Sequence, residues 1–140
     1  MASATYNSYK EDILRANVDW ANDTMKLSLH TSTYTPNIDS HDFWDDATNE
    51  VSNSGTYSSG GATLSVTVSQ DNTDDEGVAD ATDVSFTSFS GTARYAVIYK
   101  STGTPGTSNL VLYIDFGSDQ TATSGTFTIT FASEGILNIG

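Results

Sequence analysis

Side chains with the potential for acid–base or nucleophilic chemistry are few in this sequence. The two histidines are His30, on the polar side of an alternating segment, and His41, which Asp42 follows directly. A histidine beside an aspartate in a serine-rich stretch suggests a hydrolytic triad, but nothing nearby marks a nucleophile or an oxyanion site. We therefore expect both histidines to face solvent, and we expect no catalytic residue and no enzymatic activity.

Adjacent carboxylates suggest a second kind of chemistry. They occur at Asp45-Asp46 and at Asp74-Asp75. Paired carboxylates are the groups that a glycosidase uses, but neighbouring acids in acidic loops are usually only solvated. The sequence therefore gives little support to a glycosidase.

An acidic segment is the best candidate for a metal site. Its potential ligands are Asp71, Asp74, Asp75 and Glu76, with Asp80 and Asp83 nearby. Carboxylate oxygens suit Ca²⁺, but Gly77 follows the acids and no glutamate closes the loop at the twelfth position, so the spacing is not that of an EF-hand. A solvated charge run is the alternative. We expect no metal and no cofactor, with Ca²⁺ at residues 71–80 as the open alternative.

Four aromatic residues lie in irregular segments: Trp20, Tyr34, Trp44 and Tyr57. Exposed rings of this kind can stack on sugars, which would make a glycan-binding surface. In a small β-domain such rings usually fill the ends of the core, and we favour that interpretation.

Composition excludes several functions. The 140 residues include 18 acidic and five basic residues, for a net charge of −13. The cations are scattered, so no basic patch is available for nucleic acid. The chain has no cysteine, and therefore no disulfide or thiolate metal site. No apolar run approaches the length of about 20 residues that crosses a bilayer, so we expect a soluble product of the cytosol without a membrane partner.

The elements that position these residues are mostly strands. Residues 1–16 have helical spacing and predict a short helix or arm that reaches a neighbouring molecule. Alternation predicts strands at residues 25–29, 62–69, 84–86, 93–100, 110–116, 126–131 and 136–139. One helical turn fits residues 40–46, anchored by Phe43 and Trp44. We expect one all-β domain over residues 1–140, an antiparallel β-sandwich of jelly-roll or immunoglobulin-like form with a short N-terminal helix.

The two central strands permit a prediction of register. One face of the second strand carries Leu110, Leu112, Ile114 and Phe116, and we expect their partners to be Tyr95, Val97 and Tyr99. The alternative is that Ala96 and Ile98 face the core. The favoured register places Arg94 and Asp115 together on the opposite face as a cross-strand ion pair.

A series of motifs runs through nearly the whole chain. It comprises Tyr9-Lys10-Glu11-Asp12-Ile13-Leu14, Trp20 and Asp23 before the alternating strand to Leu29, Tyr57-Ser58-Ser59-Gly60-Gly61-Ala62-Thr63-Leu64, the strand at residues 93–100, Tyr113-Ile114-Asp115-Phe116-Gly117, Gly125-Thr126-Phe127-Thr128-Ile129 and Gly135-Ile136-Leu137. This order resembles a family of small tailed-bacteriophage proteins often encoded among virion structural genes. The motifs are structural, so the resemblance implies membership of a virion and no site residues. The long acidic loop at residues 71–80 departs from the family pattern.

Within a virion, the resemblance implies three roles. We favour a capsid decoration (cement) protein that binds the outer surface of the major capsid protein shell as a symmetric dimer or trimer. A tail, baseplate or tail-fibre component comes second, and a module that binds host glycans comes third. In each role the protein ends in the virion after assembly in the host cytoplasm. An acidic surface suits an outer position, away from packaged DNA.

Overall fold

The computed structural model describes residues 2–140, which form an antiparallel β-sandwich with one short α-helix. The elements are β1 (Ala2–Thr5), α1 (Asn7–Leu14), β2 (Met25–His30), β3 (Ala62–Thr63), β4 (Val66–Asp71), β5 (Glu76–Ala81), β6 (Val84–Lys100), β7 (Leu110–Ile129) and β8 (Leu137–Ile139). Single turns of 3-10 helix lie at Trp44–Asp46 and Pro105–Thr107. The all-β class and the N-terminal helix predicted from the sequence are confirmed. No helix within residues 2–140 has the length and hydrophobicity to cross a membrane.

Two sheets enclose the main core. The larger has the strand order β1-β7-β6-β2-β3 and the smaller has the order β4-β5-β8. This order differs from that of an immunoglobulin constant domain, whose sheets are A-B-E-D and C-F-G. The main core includes Leu27, Phe89, Ile98 and Val111, none of which has exposed surface. Complete burial of one such side chain contributes roughly 1.5–3 kcal/mol.

Strands β6 and β7 are longer than the sequence predicted. Residues 84–86 and 93–100 belong to one strand, and residues 110–116 continue to Ile129 in the other. The serines and glycines between these segments suggested turns. They occupy bulges instead, where the register shifts and Ser88, Gly117 and Ser124 take positive φ. A bulge bends a strand without ending it. The segments predicted as separate strands are therefore parts of the continuous strands β6 and β7.

Residues 62–81 connect the two sheets. The single strand predicted at residues 62–69 is two strands, because β3 pairs with β2 in the larger sheet while β4 pairs with β5 in the smaller. The loop predicted at residues 71–80 is mostly a hairpin, with its turn at residues 72–75. The Asp71 carboxylate makes the turn tight, since its Oδ1 accepts hydrogen bonds from the backbone N–H groups of Thr73 at 2.8 Å and Asp74 at 3.3 Å.

The N-terminal segment is part of the fold. β1 pairs with residues 112–115 of β7, so residues 2–5 of the predicted N-terminal arm form a strand of the larger sheet. α1 follows the buried Tyr6, which is the N-cap residue and makes no side-chain hydrogen bond to the helix. Tyr9 fixes α1 to the chain beyond it, because its hydroxyl accepts a hydrogen bond from Trp20 Nε1 at 2.8 Å.

Residues 95–99 of β6 and 110–114 of β7 are covered on both faces of the larger sheet, and this overturns the predicted register. Leu112 lies opposite Ile98 and Ile114 lies opposite Ala96, so the alternative partners face the main core. The favoured partners lie on the other face, in a second cluster: Tyr6, Tyr34, Val97, Tyr99 and Leu110, with Tyr95 and Tyr113 packed against it. A strand that is buried on both faces is apolar at successive positions, so alternation does not identify its core side.

The predicted ion pair between Arg94 and Asp115 is confirmed. Arg94 Nε lies 2.7 Å from Asp115 Oδ1. The two residues reach each other across the bulge between Ala93 and Tyr95, where Tyr95 is the direct partner of Asp115. The hydrogen bond from Arg94 lowers the pKa of Asp115 below its ordinary value.

Candidate interaction surface

His30 is buried, and the solvent-facing position predicted for it is wrong. Neither Ser28 nor His30 has exposed surface. His30 Nδ1 lies 2.8 Å from the carbonyl oxygen of Thr48, and His30 Nε2 lies 2.8 Å from Ser28 Oγ. Because a carbonyl only accepts, Nδ1 carries the proton and Nε2 accepts from the serine. Burial lowers the pKa of His30, which keeps the ring neutral.

The serine–histidine pair has the contacts of a nucleophile and its base, but it is closed to substrates. Trp44 completes the network by donating from Nε1 to Ser28 Oγ at 2.9 Å. Every polar side-chain atom of the network therefore has a partner. The arrangement fastens the segment that contains Trp44 and Thr48 to strand β2, which is a structural role.

His41 contacts tyrosine and not Asp42. Its Nδ1 lies 3.0 Å from the Tyr34 hydroxyl and accepts the backbone N–H of Asn37 at 3.3 Å. The Tyr34 hydroxyl in turn lies 2.8 Å from that of Tyr6. Burial raises the pKa of Tyr34 to about 12, so the phenol is protonated at neutral pH. His41 is half-buried. The hydrogen bonds between His41 and Tyr34 and between Tyr34 and Tyr6 connect the loop of His41 to the N-terminal segment.

The paired carboxylates have local backbone roles. Asp46 Oδ2 accepts the backbone N–H groups of Asp42 at 2.9 Å and Phe43 at 3.3 Å, which caps the turn at Trp44–Asp46. Asp45 beside it is exposed. In the other pair, Asp75 takes a φ of 58° within the β4–β5 turn. Both pairs of adjacent acids therefore lie in turns of the backbone.

The β4–β5 turn brings three of the six candidate metal ligands together. Carboxylate oxygens of Asp71, Asp74 and Glu76 lie within 4.8 Å of one another, and Asp75, Asp80 and Asp83 are not part of that group. Glu76 Oε1 already accepts from Asn138 Nδ2 at 2.6 Å. Three carboxylates at an exposed turn are fewer than the six to eight oxygen ligands that Ca²⁺ takes. Part of this set is also engaged in the turn itself.

The aromatic residues considered for sugar binding are mostly core residues. Trp20, Tyr34 and Tyr57 are buried. Trp44 is half-buried, and its ring stacks on Tyr99 with the centroids 5.0 Å apart. The favoured interpretation of these four rings is thus confirmed, and the sugar platform is not formed by them. Phe43 is 36% exposed and does not anchor the turn to the core as predicted.

A charge-free surface emerges from the two long strands. Residues 84–93 of β6 and 120–129 of β7 contain no Asp, Glu, Lys or Arg. We call these residues the neutral ribbon. Its inner face buries Phe86, Phe89 and Phe127. Its outer face exposes serine and threonine hydroxyls, some of them paired across the strands, as in Ser85–Thr128 at 3.0 Å and Thr92–Thr121 at 2.8 Å.

One edge of the neutral ribbon is open. β1 covers β7 only at residues 112–115, and within residues 2–140 no strand pairs with β7 beyond that point on this side. A groove of about 480 Å³ follows this edge, lined by Phe116, Ala122, Phe127 and neighbouring threonines. Between the positive-φ residues Gly117 and Ser124, residues 118–123 form an uninterrupted extended run. Unpaired backbone groups in such a run are a template for another strand.

The sequence patterns did not predict this surface, although the sequence contains a signal for it. Only one charged residue, Asp119, lies between residues 116 and 133 of a chain with 23 charged residues. The short strands assigned there concealed the continuity of the two long ones. Comparison with known proteins adds no family: no protein-family model matches the chain, and no curated protein or solved structure is significantly similar to it.

Proposed function

We propose that this protein is a non-enzymatic structural protein of a tailed-bacteriophage virion, a capsid decoration protein that docks on the major capsid protein as a symmetric dimer. The virion context comes from the resemblance of the sequence motifs. The observation that carries the assembly role is the open edge of β7, which borders a charge-free surface in a chain of net charge −13.

Charge favours this edge as the place where two copies meet. Two molecules of charge −13 repel each other at most orientations. The neutral ribbon removes that repulsion locally. Native edge strands usually carry lysine, proline or inward-pointing charges that prevent pairing. Residues 118–123 contain no lysine or proline, and their one charged side chain, Asp119, is exposed.

Antiparallel pairing of residues 118–123 with the same residues of a second copy produces a twofold axis. Such an isologous contact closes on itself, which favours a dimer over a trimer. A run of six residues is also an ordinary strand length. A dimer binds the capsid through the contacts of both copies at once. A modest contact from each copy is therefore enough for stable binding of the dimer.

Light scattering after size-exclusion chromatography tests the dimer. We expect about twice the 14.9 kDa chain mass for the wild type. The variant Gln120→Glu/Thr123→Glu places four added acids across the axis and should be monomeric at the same concentration. Its matched control is Ser69→Glu/Gln70→Glu, which also adds two acids to each copy, at exposed sites of β4, and it should remain dimeric. A monomeric wild type, or a dimeric Gln120→Glu/Thr123→Glu variant, contradicts the pairing.

Capsid binding tests the function itself. Purified protein is added to capsids that lack it, and bound copies are counted by quantitative gel analysis. Decoration predicts saturation with many copies distributed over the shell. Saturation at a handful of copies, or binding at the tail vertex alone, would reject decoration and favour the tail component.

A further inference from the structure

An apolar groove lies between the N-terminal segment and the smaller sheet. It has a volume of about 370 Å³. The segment from α1 onwards contributes Ile13, Val18 and Trp20 to its wall. The smaller sheet contributes further apolar side chains, which include Val68, Leu137 and Ile139. None of the residues that line the groove belongs to the neutral ribbon, and its strand residues all lie in the smaller sheet.

Two large apolar side chains of the groove are left in solvent. Val68 is 52% exposed and Ile139 is 53% exposed. Within residues 2–140, only Leu14 and Phe43 are other large hydrophobic residues with comparable exposure. The concentration of two of these four at one concave site marks it as a place where apolar surface is available to a partner.

The surroundings of the groove are acidic. Residues 66–81 of the smaller sheet carry five acids, Asp71, Asp74, Asp75, Glu76 and Asp80, and no lysine or arginine. Asp19 lines the groove from the opposite side. The ion pairs of the described residues 2–140 involve none of these six acids. At the turn, three of the carboxylates converge within 4.8 Å.

The outer edge of β4 is open as well. β4 pairs with β5 on one side, and within the described chain no strand pairs with its other side. Val68 lies on this strand, so an extended segment bound along β4 would also reach the groove. Addition of a strand to a sheet edge obtains affinity from backbone hydrogen bonds and specificity from side-chain pockets.

We propose that this groove and the edge of β4 bind an extended segment of a partner protein, with an apolar side chain in the groove and lysine or arginine beside it against the carboxylates. A second copy of the chain does not fit, because its five cations are scattered and its small sheet is equally acidic. The inference deepens the proposed function, since it gives the chemistry of the capsid segment on which the protein docks. The neutral ribbon joins copies, and the groove joins the copy to its partner.

A synthetic peptide serves as the probe. A seven-residue peptide of alternating lysine and valine is titrated into the isotopically labelled protein, and amide shifts are followed by NMR. We expect shifts at β4, β8 and residues 16–21. The same peptide with glutamate in place of lysine, or with serine in place of valine, should not bind. Shifts confined to other surfaces, or equal binding of the three peptides, would overturn the proposal.

Variants separate the groove from general hydrophobicity. Val68→Ser/Ile139→Ser should weaken peptide binding by about tenfold or more, because both side chains would be covered in the complex. Leu14→Ser is the matched control, since Leu14 is 87% exposed and does not line the groove. An equal loss in both variants would contradict the groove. Loss of the dimer in Val68→Ser/Ile139→Ser would show that a second copy occupies it, which also overturns the proposal.

Capsid binding distinguishes this inference from the proposed function. If wild-type protein decorates capsids and Val68→Ser/Ile139→Ser decorates equally well, the groove proposal fails while decoration stands. If the wild type does not bind capsids but does bind the lysine–valine peptide through the groove, decoration fails while the groove proposal stands. Raised salt should weaken peptide binding, because the carboxylates lie at an exposed turn.

Discussion

His30 illustrates how a single ring holds an irregular segment on a sheet. Its two nitrogens join Thr48, in the segment between β2 and β3, to Ser28, which lies on β2 itself. The neutral form suits these contacts, since Nε2 must accept while Nδ1 donates. Protonation of Nε2 would replace an acceptor by a second donor and place a charge where there is no exposed surface.

Stability should therefore fall on mild acidification in a way that depends on His30. Its pKa is lowered by burial from the ordinary 6.5, so below that value the unfolded chain takes up a proton that the folded chain does not. The free energy of unfolding then decreases as pH falls. Urea unfolding at about pH 7.5 and about pH 5.5 measures this.

The variant His30→Gln should lose this pH-dependent difference, whereas His41→Gln should retain it. The comparison between variants is needed because a chain of charge −13 also changes its overall repulsion with pH. A His30→Gln protein with the same pH dependence as the wild type would contradict the assignment.

Tyr57 is a second residue with a measurable role. Its buried hydroxyl donates to Glu50 Oε2 at 2.7 Å and accepts the backbone N–H of Leu29 at 2.9 Å. Tyr57→Phe leaves both groups without this partner, so we expect a loss of about 1–3 kcal/mol in the free energy of unfolding. Tyr113→Phe is the control, because within residues 2–140 the Tyr113 hydroxyl has no hydrogen bond; it should lose little. Equal losses would show that the hydroxyl of Tyr57 is not the cause.

At the scale of elements, two acidic residues of the β4–β5 hairpin make hydrogen bonds that stabilise the fold. Asp71 accepts hydrogen bonds within the turn, and Glu76 accepts one from Asn138 of β8. These two carboxylates therefore have a structural role that requires no bound ion. Their convergence with Asp74 nevertheless makes Ca²⁺ a clear alternative to test.

We expect no rise in melting temperature when millimolar Ca²⁺ replaces EDTA. A specific ion at a hundredfold excess over its dissociation constant would add about 2.7 kcal/mol to the free energy of unfolding. Differential scanning fluorimetry detects a change of that size. A reproducible rise of several degrees that is lost in Asp74→Asn would instead identify Asp71, Asp74 and Glu76 as ligands.

Local patterns predicted the elements better than their extents. Met25, Leu27 and Leu29 alternate with polar residues, and β2 lies where this alternation predicts it. Bulges escaped prediction, because Ser88 and Ser124 have the composition of a turn yet lie within continuous strands. Whether Ile98 or Tyr99 faces the main core depends on what covers the second face of the sheet. That cover comes from residues far away in sequence, such as Tyr6 and Tyr34, so periodicity alone does not reveal it.

The candidate site could not be predicted from sequence for the same physical reason. The individual residues of the neutral ribbon and the apolar groove are unremarkable in sequence. Each surface arises because distant segments meet, as when Val18 and Val68 line the same groove. Sequence patterns placed six acids together, of which the structure brings three within 4.8 Å of one another, and the partner-binding geometry depends on the topology of two sheets.

At the scale of the whole molecule, charge is the main unfavourable feature of the fold. The net charge is −13, and the described residues 2–140 contain only three ion pairs. Folding concentrates this charge, so repulsion destabilises the compact state more than the expanded chain.

Added salt should therefore stabilise the protein. Between about 0.02 M and about 0.5 M sodium chloride, screening should raise the free energy of unfolding by about 1 kcal/mol, or roughly 3 °C in melting temperature. Calorimetry or circular dichroism measures the change. A fall in melting temperature would mean that the ion pairs, such as Arg94–Asp115, outweigh the repulsion.

The pairing of β1 with β7 has a consequence for synthesis on the ribosome. Ala2 lies opposite Asp115 and Met25 lies opposite Lys100, so the strands that are translated first wait for partners that are translated late. The hairpin of β6 and β7 joins neighbours and is the natural nucleus, whereas closing the loops to β1 and β2 is entropically slow. Until those loops close, the nascent chain exposes Leu27 and Leu29, which are buried in the folded protein. We expect repulsion between its acidic residues to oppose aggregation of this intermediate.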